Sequence, residues 1–241
     1  MSEHSRLSIA AHLDEIRRRL IYSVLFVVVC TGVGFVLAEP VIRFLTTLAP
    51  SSVLFIYTEV TEFWSTYFTV ALVCGIVLSL PFLLYQLVMF VAPALTPREK
   101  KYLYTFMPAV FLFFAAGVAF GFFVLLPPAL DFMLNPPFAA DIAKPQIRIG
   151  NYISVVTRLL FIIGAAFEMP LVMLFLGKIR VLSVKRLTRF RKWVFVLAFV
   201  VSGIITPTMD PVNQTLLAVP LVVLFELGIL LIRIFVPQRK P

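Results

Sequence analysis

Residues 12–38 read HLDEIRRRLIYSVLFVVVCTGVGFVLA, with two acids and three arginines placed directly before nineteen uncharged, mostly apolar residues. Nineteen helical residues rise about 28 Å, close to the roughly 30 Å hydrocarbon core of a bilayer. No small-residue cleavage site follows, so we expect this segment to remain as a transmembrane helix. The arginines before it are typical of an anchor that holds the N-terminus in the cytoplasm.

The whole chain is similarly apolar. Of its 241 residues, 61% are hydrophobic and 14% are charged, against the usual quarter, and the mean hydropathy is +1.02. This composition predicts an all-α integral membrane protein with a single domain over residues 1–241. The net charge of +9 comes without basic–aromatic interleaving, which favours a lipid bilayer over nucleic acid as partner. Cys30 and Cys74 lack metal-site spacing, and we expect no metal and no cofactor.

Six apolar segments predict six transmembrane helices, at approximately residues 20–38, 67–92, 102–126, 152–177, 193–206 and 214–235. The last two are short and could also form one re-entrant hairpin. Two short spans are favoured, because lysine and arginine flank both ends of the pair. Prolines inside four segments favour kinks, which indicates a bent, cupped bundle; they are Pro81, Pro108, Pro170 and Pro220.

The basic residues predict the orientation. Seventeen of the 21 lysines and arginines fall on one side of the six segments, and the positive-inside rule places that side, with both termini, in the cytoplasm. The four on the other side are Arg43, Lys144, Arg148 and Arg158. The long outer connections, 39–66 and 126–151, are rich in Pro, Thr and acids. Within the first, residues 40–48 have helical apolar spacing and are expected to lie along the membrane interface.

Catalytic motifs are not found in the sequence. The two histidines, His4 and His12, lie outside the apolar segments, and neither an H-E-x-x-H pattern nor a phosphate-binding loop occurs. We therefore do not expect an enzyme.

Glu168 is the most costly side chain to place in a membrane, because it lies ten residues from both Arg158 and Lys178. A charge at mid-depth costs about 2.5–3.5 kcal/mol on insertion scales, so such acids usually face a cavity, a partner or a proton path. The alternative is a protonated carboxyl that hydrogen-bonds a neighbouring helix.

Glu15 and Glu99 are two acids on the predicted cytoplasmic side, each among basic residues. One interpretation is structural: Glu15 pairs with Arg18 or Arg19 along a helix, and Glu99 favours a helix N-terminus. The other is that two surface carboxylates hold a pair of guanidinium groups through charge-assisted, bidentate bonds.

Several short motifs, taken together, resemble the TatC family, the multispanning core of the twin-arginine protein translocase. In chain order they are His12-Leu-x-Glu15-Ile-Arg17-x-Arg19, Pro81-x-x-x-Tyr85-Gln86, Phe90-x-Ala92-Pro93-Ala94-Leu95, Arg98-Glu99-Lys100, Phe167-Glu168-x-Pro170, Thr206-Pro207 with Asp210, and Gln214-Thr-Leu-Leu-Ala-x-Pro220.

The resemblance implies a receptor for the twin-arginine signal peptides of folded cargo, which assembles with single-helix TatA-type and TatB-type proteins, and with further copies of itself as a possible homo-oligomer. It implies export driven by the proton-motive force, in the cytoplasmic membrane of a prokaryote rather than a thylakoid. The residues it assigns to signal binding are Glu15, Glu99, Arg17 and Phe90; Glu168 and Pro170 belong to a membrane cavity, and Asp210 and Gln214 to the last outer turn.

A proton-coupled transporter of small solutes, with Glu168 as its titrating carboxylate, is the alternative from a different functional class. Such a protein should show repeats or paired broken helices and a second buried charge at similar depth. The sequence shows neither feature.

Overall fold

The computed structural model describes the backbone of residues 3–50, 53–91, 97–135, 146–206 and 210–236. It describes side chains over residues 14–50, 53–87, 108–135, 146–206 and 210–236. The described chain is mostly helical, and each of its elements can be compared with the apolar segments of the sequence.

Helix α1 (Glu3–Thr46) is a single helix of 44 residues that continues through Pro40. It is longer at both ends than the segment 20–38, and residues 40–46, which were expected to lie along the membrane interface, continue the same helix. Proline removes one backbone hydrogen bond. A membrane helix can tolerate this loss, because groups on neighbouring helices can satisfy the freed backbone carbonyl. The charged pair Glu39 and Arg43 therefore marks the outer part of a continuous helix.

Helix α2 (Glu62–Val91) packs along α1. Glycines allow the two backbones to approach closely, because a Cβ atom on Gly75 would lie 2.6 Å from the backbone of Thr31. The Tyr67 hydroxyl also donates to the Phe35 carbonyl at 2.6 Å. These contacts hold α1 against α2. The candidate site described below lies between the first part of α1 and the last part of α2.

The third apolar segment forms α3 (Pro97–Phe120), a π-helical turn (Gly121–Leu125) and α4 (Leu126–Leu134). In the π-turn the amide of Leu126 donates to the carbonyl of Gly121, five residues back. Pro127 and Pro128 explain the change of pitch, because neither has an N–H group to continue the α-helical pattern. Helical structure thus extends to Leu134, beyond the segment 102–126.

The fourth segment is broken into α5 (Ile149–Phe167) and α6 (Met169–Lys178), with Glu168 at the junction. Pro170 stands at the start of α6, where it cannot donate the backbone hydrogen bond that would continue α5. The sequence predicted a kink at this proline, and the kink is confirmed as a break within the segment 152–177.

Helices α7 (Val184–Ile205) and α8 (Pro211–Phe235) form the C-terminal hairpin. Within the described residues, five helical stretches are long and apolar enough to cross a membrane: Asp14–Thr46, Glu62–Leu87, Pro108–Leu134, Ile149–Lys178 and Pro211–Phe235. α7 is not among them, because Arg189, Arg191 and Lys192 fall within every stretch of sufficient length. The described chain is therefore mostly helical, with five candidate membrane spans.

A small sheet joins the two outer connections, which the all-α prediction did not foresee. Strand β1 (Leu54–Ile56) pairs in parallel with β2 (Gln146–Arg148), with Leu54 opposite Gln146. Three-residue strands have little sequence signal of their own. The pairing holds residues that are 92 positions apart at the same end of the bundle.

Two apolar clusters stabilise the bundle. The larger one joins α1, α2, the π-turn, α4 and α5, and includes Ala38, Val70, Leu126 and Val156. The smaller joins α6, α7 and α8 around Met173, Phe225 and Ile232. Many large apolar side chains outside these clusters are exposed on the helices, as expected for surfaces that face lipid.

Candidate functional site

An acid–arginine–amide cluster lies near the start of the first membrane span. Glu15 and Arg19 are four residues apart on α1 and thus share one face of the helix. The Nε and Nη2 atoms of Arg19 donate to Oε1 of Glu15 at 3.0 and 2.6 Å. The Nη1 atom of Arg19 also donates to Oε1 of Gln86 at 3.3 Å, across to the buried amide on α2. The cluster therefore joins α1 to α2.

This cluster borders a hollow of about 660 Å³ between the two helices. The Glu15 side chain is 32% exposed. Within the described residues its Oε2 atom accepts no hydrogen bond, because both bonds from Arg19 go to Oε1. A free carboxylate oxygen beside a hollow can accept a guanidinium or ammonium group. The lining residues are Asp14, Glu15, Arg18, Arg19, Tyr22, Tyr85 and Gln86.

Other residues assigned to this surface are only partly placed. Arg17 is exposed and borders a separate hollow with Asp14 and Tyr22, since two residues rotate a helix by about 200°. The structure thus does not bring Arg17 to the Glu15 cluster. Glu99 falls in the first turn of α3 and Phe90 in the last turn of α2. The side chains of both lie outside the described residues.

Glu168 occupies the break between α5 and α6, with its carboxylate oxygens buried. Neither oxygen has a hydrogen-bond partner of good geometry in the described part of the chain, although the backbone of Phe114 lies nearby. Pro170 is fully buried and packs close to Gly228 of α8. The two residues thus create a bend that carries a buried polar group, in the middle of the span Ile149–Lys178.

Asp210 and Gln214 both have structural contacts at the start of α8. Asp210 caps the helix, with its Oδ1 atom accepting from the Asn213 amide at 2.7 Å. Gln214 donates from Nε2 to the Phe199 carbonyl at 2.8 Å, and its own carbonyl accepts from the Ser202 hydroxyl at 2.5 Å. The bonds of Gln214 hold the C-terminal end of α7 against the N-terminal end of α8.

An ion-pair cluster that the sequence patterns did not indicate lies where β2 meets the start of α2. Arg148, the last residue of β2, donates to Glu59 at 3.0 Å and to the buried Glu62 at 3.1 Å. The amides of Thr58 and Gly150 also donate to Glu62. Hydrogen bonds to Glu62 and then Glu59 raise the pKa of Arg148 above its usual range. The available signal was one arginine in one outer connection and acids in the other.

Metal binding finds no support in the described residues, where no group of three or more histidine, cysteine, aspartate or glutamate side chains converges. The charged clusters above are instead paired acids and arginines. Their chemistry is the recognition of charged groups.

Comparison with known proteins identifies the family. Residues 11–220 match the family model "TatC: Sec-independent protein translocase protein (TatC)". A Sec-independent protein translocase protein TatC from Carboxydothermus hydrogenoformans is 32% identical over 240 residues, covering 98% of this chain and 97% of the relative. The TatC protein of Aquifex aeolicus is 34% identical, with 97% and 98% covered. A chloroplastic relative from Arabidopsis thaliana is 33% identical over 97% of this chain and 68% of its own length.

Two solved structures support the same family assignment. A crystal structure of the twin-arginine translocase receptor TatC superimposes with a TM-score of 0.82 at 36% identity, covering 92% of this chain and 98% of that one. A second crystal structure of that receptor, in DDM, gives a TM-score of 0.83 at 35% identity, with 91% and 98% covered. The resemblance drawn from the short motifs is confirmed over nearly the whole length: the chain belongs to the TatC family of Sec-independent protein translocase proteins.

Proposed function

We propose that this chain is the receptor subunit of a twin-arginine translocase and binds the paired arginines of signal peptides on folded cargo. One observation carries the proposal: Glu15 lines the hollow, its Oε1 atom already holds the guanidinium of Arg19, and within the described residues its Oε2 atom accepts no hydrogen bond. The site is therefore shaped for the group it is proposed to bind.

The proposed binding mechanism depends on the pairing of the arginines of the signal peptide with carboxylates of this chain. A signal arginine binds Oε2 of Glu15 or displaces Arg19, whose guanidinium keeps its bond to Gln86. Glu99 receives the second arginine, and Arg17 and Phe90 complete the cytoplasmic surface around the peptide. The hollow already contains Arg18 and Arg19 against Asp14 and Glu15. Because two more cations enter, binding depends on each carboxylate. Arginine is preferred over lysine because a planar guanidinium makes two parallel bonds to a carboxylate.

The same proposal includes six spans, with both termini in the cytoplasm. The apolar part of α7, from Trp193 to Ile205, serves as a short fifth span, and its basic first turns remain at the cytoplasmic surface. The charge distribution supports this orientation, with 17 of the 21 basic residues on that side. The short C-terminal hairpin gives the bundle a cupped form. The membrane is the cytoplasmic membrane of a prokaryote rather than a thylakoid.

Partners of the TatA and TatB type bind within the membrane, and transport is driven by the proton-motive force without catalysis by this chain. The buried carboxylate of Glu168, which has no hydrogen-bond partner among the described residues, is the polar contact offered inside the bilayer, at the bend made by Pro170. We expect Glu168→Ala to weaken partner assembly or transport more than signal binding, measured by co-purification and peptide binding on the same preparation. Equal loss of both would contradict this role. Asp210 and Gln214 support the partner surface by holding α7 against α8.

The function is tested with the purified protein and two signal peptides that differ only in their Arg-Arg or Lys-Lys pair. We expect tight binding of the Arg-Arg peptide and at least tenfold weaker binding of the Lys-Lys peptide, since about 1.4 kcal/mol per tenfold is within the range of one lost charged hydrogen bond. Equal affinity for both peptides would contradict the receptor assignment.

A proton-coupled solute transporter is the second candidate, and the buried carboxylate of Glu168 is the observation that favours it. Reconstitution of the chain alone in vesicles with a proton gradient distinguishes the two functions. Solute uptake that is abolished by Glu168→Gln would support the transporter. Binding of the Arg-Arg peptide without uptake supports the receptor.

A further inference from the structure

A stripe of three cations runs along the first half of α7. Lys185, Arg189 and Lys192 are spaced i, i+4 and i+7, so they share one face of the helix, and all three are exposed. In the described part of the chain none of them forms an ion pair. Three positive charges on one face, without an ion pair among the described residues, make this face suitable for an anionic partner.

The opposite face of α7 packs against the rest of the protein. Leu187, Ala198 and Ser202 are buried there. Arg191, on that side, pairs with Glu226 of α8 at 2.6 Å. The stripe therefore points away from the bundle, and the five described ion pairs include no acid that faces it.

The stripe continues into apolar surface. Val196 and Val200 follow on the same face, 54% and 51% exposed, and Trp193 between the charges and the valines is 70% exposed. From Lys185 to Val200 the helix rises about 22 Å. Tryptophan at the junction of charged and apolar surface is typical of a membrane–water interface.

We propose that this face of α7, the α7 lipid face (Lys185, Arg189, Lys192, Trp193, Val196 and Val200), is a binding site for an anionic phospholipid. The three cations hold the phosphate and any further negative charge of the head group. The acyl chains lie along the exposed valines. An acidic protein segment could satisfy the charges, but it would leave the apolar half of the same face without a partner.

Trp193 provides a local measurement, because the chain has two tryptophans and Trp64→Phe leaves one. The W64F protein is placed in bilayers that contain brominated phosphatidylglycerol or brominated phosphatidylcholine, and quenching of Trp193 gives the relative binding of each lipid. A cation near an anionic surface favours binding by about fivefold, so three together predict at least about tenfold preference for phosphatidylglycerol.

The variant K185Q/R189Q/K192Q should lose this preference. A charge-matched control, R180Q/R191Q/R233Q, removes three cations that lie off the α7 lipid face and should keep the preference within about threefold. The charge-preserving variant K185R/R189K/K192R should also keep it, which separates loss of charge from loss of fold. Equal quenching by both lipids in the W64F protein, or an equal loss in the two glutamine variants, would overturn the site. Displacement of phosphatidylglycerol by polyglutamate at matched charge concentration would assign the face to an acidic protein segment instead.

Discussion

Helix α1 carries the same acid–arginine pair twice, at Glu15 and Arg19 and again at Glu39 and Arg43. Both pairs have i, i+4 spacing, and the shortest N–O distances are 2.6 and 2.8 Å. Their surroundings differ. The Glu39 and Arg43 side chains are 60% and 78% exposed, and each bonds only the other in the described part of the chain. The inner pair is half-buried, bonds Gln86 of α2 and borders a hollow.

Comparison of the two pairs indicates that an acid and an arginine at i, i+4 spacing are not by themselves sufficient to form a binding site. An exposed i, i+4 pair contributes a few tenths of a kcal/mol to the helix and is accessible to water on all sides. A pair beside a hollow, with a third group on a second helix, has a fixed geometry and weaker solvent screening. The sequence motif supplies the acid and the arginine, and the packing of α1 against α2 adds Gln86 and the hollow that the proposed receptor site requires.

The largest expected effect comes from Glu15→Ala. Loss of this carboxylate leaves the incoming guanidinium beside Arg18 and Arg19 without its acid, which should weaken binding of an Arg-Arg signal peptide by at least about 2 kcal/mol, or roughly 30-fold. Titration of the purified variant with labelled peptide measures the loss. Glu39→Ala is the matched control on the same helix, and a similar loss there would show that the two pairs are equivalent.

A third acid–arginine contact extends the comparison to greater burial. Arg148→Ala removes the charged partner of Glu62, whose side chain is 7% exposed, and leaves this carboxylate with only neutral donors, the Thr58 amide and hydroxyl and the Gly150 amide. We expect a loss of about 2 kcal/mol in stability, or roughly 5 °C in the thermal midpoint of the protein in detergent. Arg43→Ala, which breaks the exposed pair, should change the midpoint by less than about 1 °C. Equal shifts for the two variants would contradict the importance of burial.

Gln86→Leu tests the role of the hydrogen bond between Arg19 and Gln86. The substitution keeps the volume of the side chain but removes the acceptor that holds Arg19 at 3.3 Å. Arg19 then has only Glu15 as partner and competes more strongly with the signal arginine. Peptide affinity should fall by about 1 kcal/mol, or fivefold, with no change in the amount of folded protein. Unchanged affinity would indicate that Arg19 does not compete for the site.

The smallest effect concerns the outer pair alone. Glu39→Gln should alter stability by less than about 0.5 kcal/mol, because both side chains are exposed. Thermal unfolding at low and high salt checks this, since any contribution of an exposed pair is screened by salt. A salt-independent loss of more than 1 °C would show that the outer pair has a structural role.

Much of the fold could be predicted from the distribution of charge and proline. The segment 214–235 corresponds closely to α8 (Pro211–Phe235), and Pro170 indicated the break at Glu168. The end of α1 could not be predicted, because Glu39, Pro40 and Arg43 resemble the end of a span although the helix continues to Thr46. The β1–β2 pair depends on two loops meeting, which local patterns do not encode.

The site was predictable in its residue types and less so in its neighbours. Glu15 stands out as an acid among arginines, but Gln86, which accepts from its partner Arg19, lies 67 residues beyond Arg19 and is found only once α1 and α2 are packed. Arg17 shares the motif with Glu15, yet the helical rotation carries it to another face. Arg148 was counted only as a charge on the outer side, and its bonds to Glu59 and Glu62 link two connections that the sequence leaves far apart.

The most direct test of the receptor assignment is site-specific crosslinking of an Arg-Arg signal peptide to the double variant Glu15→Ala plus Glu99→Ala in membranes. We expect crosslinking to be abolished, while the double variant remains in the membrane at normal amount. The control variant Glu39→Ala should crosslink to the same extent as the unmodified protein. Undiminished crosslinking to the double variant would contradict the central claim that these two carboxylates receive the arginines of the signal.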